Sequence, residues 1–383
     1  MRLVYNEQKR WTDTEAVDVV VMERTKRAVG DNHPNTLTSM TNLAVTYRNQ
    51  GRLTDAEALE VVVMEKRKRV LGDDHPDTLT SMENLASTYM NQGHLTKAEA
   101  FKVVVMEKRK RVLGDDHFDT LTSMANLGSI YRNQGRWTEA EALEVVVMEK
   151  WKRVLGDEHP VTLTSMVNLG STYRNQGRLT EAEVLEVMVM EKTKQVLGEN
   201  HPDTLTSMAN LAATYRNQGR LTEAEVLEVV VMEKTKQALG DNHPYSLTSM
   251  ANLASTYWKQ GRWTEAEALE VVMTEKRKQV LGDDHPDTLT SMGNLAFIYG
   301  DQGRLAEAEA LEVVVVEKRK RVLGDDHPDT LTSMGNLAVT YKKQGRLTEA
   351  EALKVVVREK RQKAPILLFK RSSSGPQSRQ NFL

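Results

Sequence analysis

The chain has 383 residues, no cysteine, 28% charged residues and only 5% aromatic ones, and its charges almost cancel to a net −2. Disulfides, thiol catalysis and cysteine–zinc sites are therefore excluded, and no overall charge draws the chain to nucleic acid or an anionic membrane surface. No apolar run approaches the roughly 20 residues a bilayer crossing needs. The start, Met1-Arg2-Leu3-Val4-Tyr5, lacks the apolar segment of a secretory signal, so a cytoplasmic protein is expected.

From the first residues a 42-residue period is visible. His33, His75, His117, His159, His201, His243, His285 and His327 keep this step, as do the tyrosines from Tyr47 to Tyr341. Residues 72–113 and 282–323 agree at 31 of 42 positions, which points to duplication within the chain. Tyr5 aligns with Tyr47. The chain is thus expected to begin late in a first helix and to continue into an unpaired second helix, residues 11–29, with 1–29 as a partial repeat. Because no polar capping repeat precedes it, this start suggests a fragment or truncated copy of a longer array.

Each complete unit in residues 30–363 reads as two helices. In the second copy Pro76 suits a first helical turn. Met82, Leu85, Ala86 and Tyr89 then recur at helical spacing, and Gly93 closes the helix. The second helix opens with Thr96 and Glu99, the pattern of a capping box in which each side chain bonds the other's backbone donor. Ala306 breaks this pattern, at an expected cost of ~1 kcal/mol. Ala98, Phe101, Val105 and Val112 are expected to form the buried stripe, and Gly114 ends the helix. Valine runs such as Val61-Val62-Val63 favour strand by propensity, but a span of ~19 residues between cap and glycine is too long for a strand and decides for helix.

One hairpin cannot bury its own stripe, so eight of them are expected to stack. After Lys363, Pro365 stops the pattern. The serine-, glycine- and proline-rich residues 364–383 read as a disordered tail, with Ile366-Leu367-Leu368-Phe369 as a possible hydrophobic cap.

Asn84-Leu85-Ala86-x-x-Tyr89, Gln92-Gly93 and Ala98 resemble the tetratricopeptide (TPR) pattern. The long second helix ending in Leu-Gly-Asp-Asp-His-Pro-Asp-Thr is similar to the 42-residue repeats of kinesin light chains and of fungal NLR-like (STAND) proteins. The resemblance implies an all-α, right-handed superhelical TPR solenoid whose first helices line the concave face.

No Walker loop, H-E-x-x-H, G-x-S-x-G or C-x-x-C is present, so no enzyme and no cofactor are expected. The loop histidines sit beside carboxylates. Successive copies, on the order of 10 Å apart, are too distant to share a metal at ~2 Å, and the loop is read as a helix junction. Counting 100° per residue from Met40, the positions of Thr38, Asn42, Val45 and Asn49 fall opposite the core, with Arg48 on the flank.

Two rows follow on that face. Asn84, Asn126, Asn168, Asn210, Asn252 and Asn294, with Asn42 and Asn336 beyond them, can hold the backbone of an extended peptide, or can hydrogen-bond within and between repeats. The TPR resemblance implies the first role. Arg132, Arg174 and Arg216 would favour an acidic segment, unless they form only a solvated row. Trp258 and Phe297 would supply an apolar pocket. Val61 and its equivalents are expected to be buried between helices, or else to form a ridge for weak self-association.

The expected function is a scaffold that binds an extended, acidic segment of another protein in the groove, without nucleic acid or membrane. The alternatives are the sensor array of an NLR-like protein and a self-associating solenoid.

Overall fold

The computed structural model describes residues 11–363. Seventeen helices follow one another among them: α1 Trp11–Val29, α2 Pro34–Asn49, α3 Leu53–Leu71, α4 Pro76–Gln92, α5 Leu95–Leu113, α6 Phe118–Asn133, α7 Trp137–Leu155, α8 Pro160–Asn175, α9 Leu179–Leu197, α10 Pro202–Asn217, α11 Leu221–Leu239, α12 Pro244–Lys259, α13 Trp263–Leu281, α14 Pro286–Asp301, α15 Leu305–Leu323, α16 Pro328–Lys343 and α17 Leu347–Lys363. Even-numbered helices are the first helices of the repeats and odd-numbered ones the second. The expected tail, the apolar patch at 366–369 and the partial first helix before residue 11 lie outside the described residues.

Local chemistry sets the boundaries. Each loop histidine is the N-cap of a first helix, its Nδ1 accepting the backbone N–H two residues on, as from Tyr245 to His243 at 3.2 Å. Proline follows at the first helical position in seven of the eight copies, where its missing N–H is no loss. Glycine closes the second helices with a positive φ, 91° at Gly72, which side-chain-bearing residues rarely adopt. The hydroxyl of Thr78 then reaches back to the Gly72 carbonyl at 2.8 Å and ties the loop down.

The second helices α3, α5, α9, α11, α13 and α15 do not carry the capping box. They begin at the residue before the threonine, the cap is Arg52 or its equivalent, and it makes no side-chain cap bond. The glutamate of the pattern is taken up elsewhere. Glu183 accepts from Gln218 at 2.8 Å and from Arg220 at 2.6 Å, both one repeat ahead. That arginine also stacks over Tyr215, 4.0 Å from the ring centroid, and bonds Glu223 three residues on. The same clamp recurs with Glu99 and Arg136, Glu225 and Arg262, Glu267 and Arg304, and Glu309 and Arg346. In the second copy His94 replaces the arginine, and Lys97 takes over the contact with Tyr89 at 5.0 Å.

The buried stripe of a second helix keeps two of the four expected positions, Ala98 and Val105, and takes two charged residues in place of the others. Ala98, Lys102, Val105 and Arg109 are buried, Phe101 is half-buried, and Val112 is 52% exposed. Val61 and most of its equivalents are half-buried, as expected, whereas Val271 and Val355 are exposed.

The described residues divide into two compact units, separated between Trp151 and Lys152. In the first, α1 to α6 pack in sequence, each on the next. Phe118, which replaces the usual proline, packs edge-on against the buried ring of Trp151 at 4.9 Å. In the second, α8 to α17 do the same, and α8 also touches α10, α10 touches α12, and α14 touches α16. First helices thus approach one another, which puts their exposed face on the inner side of this stack. Each fully buried leucine, such as Leu253, contributes about 2 kcal/mol.

Candidate peptide-binding face

The first helices hold their asparagines half-buried, directly before the buried Leu-Ala or Leu-Gly pair. Among the described residues no hydrogen bond engages the side-chain amides of Asn84, Asn126, Asn210 or Asn252. Asn294 is committed, its Nδ2 donating to Glu270 Oε1 at 3.1 Å, and Asn168 also has a partner. The amides of Asn84 and Asn126 in the first unit, and of Asn210 and Asn252 in the second, therefore present donors and acceptors on the first helices of each unit.

The arginines are not an open row. Arg174 is 8% exposed and Arg216 5%. Arg174 Nη1 donates to Glu186 Oε1 at 2.8 Å and to the carbonyl of Asn210 at 3.0 Å. Arg216 Nη1 donates to Glu228 Oε1 at 2.6 Å and to the carbonyl of Asn252 at 3.0 Å. Arg132 is more open and contacts Glu144 at 3.1 Å. Each guanidinium joins a first helix to its own second helix, and two of them reach the next first helix as well. Dehydration is the main influence on these groups. It pushes Glu186 and Glu228 above the usual carboxylate range, against the pull of their arginines, and pulls Arg174 down.

The buried acid position was not singled out from the sequence. Glu60, Glu144, Glu186, Glu228, Glu270 and Glu312 occupy it, with Lys102 in the second copy. The signal was present: Ala56, Glu60, Val63 and Arg67 lie at i, i+4, i+7 and i+11, one helical stripe with two charges in it. The second copy exchanges the charges. Met90 replaces the arginine, and Lys102 faces Glu83 at 3.7 Å.

In the sixth copy Trp258 takes the arginine's place. Its ring meets Phe297 edge-on at 5.3 Å, and its Nε1 donates to Asp301 Oδ2 at 2.8 Å. The expected aromatic pair thus forms, on neighbouring first helices. Behind it Glu270 is fully buried and has no arginine from position 258, and burial raises its pKa to about 8.

An all-helical stack of hairpins with a polar inner face is the architecture of a tetratricopeptide array. The tetratricopeptide repeat profile matches residues 3–35, 36–77, 78–119, 120–161, 162–203, 204–245, 246–287, 288–329 and 330–363, and the chain belongs to that family. Its repeats are similar to those of a kinesin light chain-like array. A Podospora anserina structure described as having nearly identical TPR-like repeats of a kinesin light chain is 29% identical, with a TM-score of 0.50, over 54% of this chain and 97% of that one. BtubC (BKLC) from P. vanneervenii shares the fold at 19% identity and a TM-score of 0.53, over 61% of this chain and 94% of its own. The apo quorum sensor NprR from B. thuringiensis does so at 14% identity and a TM-score of 0.62, over 83% and 86%. No curated protein sequence matches the chain significantly. None of the helices described is long and apolar enough to cross a membrane.

Proposed function

We propose that the chain is a non-enzymatic, cytoplasmic scaffold that takes an extended segment of another protein along the first-helix face of its repeats. The observation that carries this reading is the set of uncommitted amides of Asn84, Asn126, Asn210 and Asn252. An amide can both donate to and accept from a peptide backbone, so it grips an extended chain irrespective of side chains. The Trp258–Phe297 pair is the anchor for an apolar residue of the bound segment. An acidic preference finds less support, because a partner's carboxylate would have to displace Glu186 or Glu228 from a buried pair.

The test compares protein capture by the parent with capture by a variant carrying Asn84→Ala, Asn126→Ala, Asn210→Ala and Asn252→Ala, both checked for helicity. A partner retained by the parent and lost by the folded variant supports the reading. A partner held equally by both rejects it. Charge reversal at Arg174 or Arg216 is the wrong probe, since it would bury two carboxylates together and report stability rather than binding.

A second reading, self-association, has one observation in its favour. Val62, Val104 and Val146 stay exposed in the first unit at the repeat period, with Val70 and Val112 beside them. Sedimentation over a concentration range separates the two readings, since only self-association makes the chain grow with concentration.

A further inference from the structure

The arginine and the buried acid answer each other from copy to copy, and the seventh copy breaks the correspondence. Gly300 stands where Arg174 and Arg216 stand in their repeats, while Glu312 keeps the carboxylate. Glu312 is 5% exposed, and its Oε2 has no hydrogen-bond partner, as is also true of Glu228 Oε2 beside Arg216. Among the described residues no cation lies within ion-pair distance of it. Lys343 is the nearest candidate, but its ammonium is committed to the Gly300 carbonyl at 3.2 Å and to Asp301 Oδ1 at 3.0 Å. A Cβ added at Gly300 would meet only that Lys343 Nζ, at 3.8 Å, the tip of a half-exposed lysine, so the first atom of a side chain has room there.

The sixth copy differs from this. There Trp258 occupies the arginine's place, and Asn294 donates to the acid. Only at Gly300 does the ladder lack both the cation and any side chain in its stead.

The neighbouring copies show what fits such a place. One nitrogen of Arg216 satisfies Glu228, the Asn252 carbonyl and, at 3.5 Å, the hydroxyl of Thr256. The equivalent acceptors in the seventh copy are Glu312, the Asn336 carbonyl and Thr340. A guanidinium is thus the group that meets this set of acceptors in the neighbouring copy. The position also belongs to the first helix α14, whose exposed side is the proposed peptide face.

We propose that the gap at Gly300 is a socket for an arginine side chain of the bound segment, with Glu312 as its counter-ion. This deepens the reading of the first-helix face as the peptide site and rests on it. The partner then carries an arginine where its chain passes between α14 and α16, near an apolar residue that meets Trp258. A buried carboxylate without a cation is costly to keep, and an incoming guanidinium removes that cost, so the charge contributes to affinity rather than to steering alone.

The probe is a short acetylated, amidated alanine-rich peptide with one leucine and one central arginine, titrated calorimetrically into the full chain. Its control carries citrulline, which keeps the shape and loses the charge. The arginine peptide is expected to bind about tenfold more tightly. Gly300→Arg, which fills the socket from within, and Glu312→Gln are each expected to abolish that difference. Equal binding of the two peptides to the parent, or a preference that survives Gly300→Arg, overturns the socket. If both peptides bind alike and both are lost on Asn252→Ala with Trp258→Ala, the socket falls and the peptide face stands. If neither binds the parent, the socket falls as well. As a measurement independent of any peptide, Gly300→Arg should melt higher than Gly300→Met; the reverse order also overturns the assignment.

Discussion

At the scale of single residues, the protein keeps ionisable groups in places that a helical pattern assigns to apolar ones. Glu270 is the extreme case, with no arginine at position 258 to offset its burial. Its carboxyl ionises near pH 8 in the fold, against a reference value of 4.5. The native state therefore holds a proton that the unfolded chain has released, and stability falls as pH rises from about 4.5 to about 8. Glu270→Gln removes this dependence. The variant should melt a few degrees above the parent at a pH above 8 and show a flatter stability profile below it. An unchanged profile by calorimetry would mean that the glutamate is solvated. The loop histidines make a second residue-scale prediction. His243→Ala should cost about 1 kcal/mol in denaturant unfolding, and His243→Asn, which can still accept from the Tyr245 N–H, much less.

At the scale of elements, helices within and between repeats are joined by polar groups as well as by their apolar stripes. Arg216 connects α10, α11 and α12 through Glu228 and the Asn252 carbonyl. Arg216→Met strands the Glu228 carboxylate in the interior and should cost about 3–5 kcal/mol. Adding Glu228→Gln should recover most of that loss, because the cost lies in the unpaired charge rather than in lost packing. A double variant as unstable as the single one would reject this account. The second helices carry the opposite lesson. Since no side-chain cap forms at their start, Ala306→Thr should leave the melting temperature unchanged, although the sequence pattern leads one to expect a gain of ~1 kcal/mol.

At the scale of the whole molecule, the helices α1 to α6 of the first unit and α8 to α17 of the second touch mainly their predecessors and successors within the unit, and this order makes stability local. In the second unit, α17 is the last helix described and α10 to α13 have neighbours on both sides. Amide hydrogen exchange should therefore be fastest in α17 and slowest in α10 to α13, whereas uniform protection from α8 to α17 would indicate one all-or-none unit. A repeating face also offers a ligand nearly identical positions one repeat apart. The departures from identity, Trp258, Phe297 and Gly300, are then what can fix a bound segment's register.

The sequence by itself determined the period, the bounds of the first helices, the ends of the second ones and the pairing of helices into hairpins. These rest on interactions within a few residues: proline and histidine at the start of a first helix, glycine with positive φ at the end of a second, and apolar spacing between them. The tetratricopeptide class follows from the same local signals, repeated. What only the tertiary structure decided depends on partners a repeat away. Glu183 looks like a capping residue until Gln218 and Arg220 arrive from the next hairpin. Arg174 and Arg216 look like a solvent-facing basic row until Glu186 and Glu228 meet them beneath the surface. A helical wheel places a side chain at an angle on its own axis. How far that angle is buried, and which charge it meets, is set by the neighbouring helix.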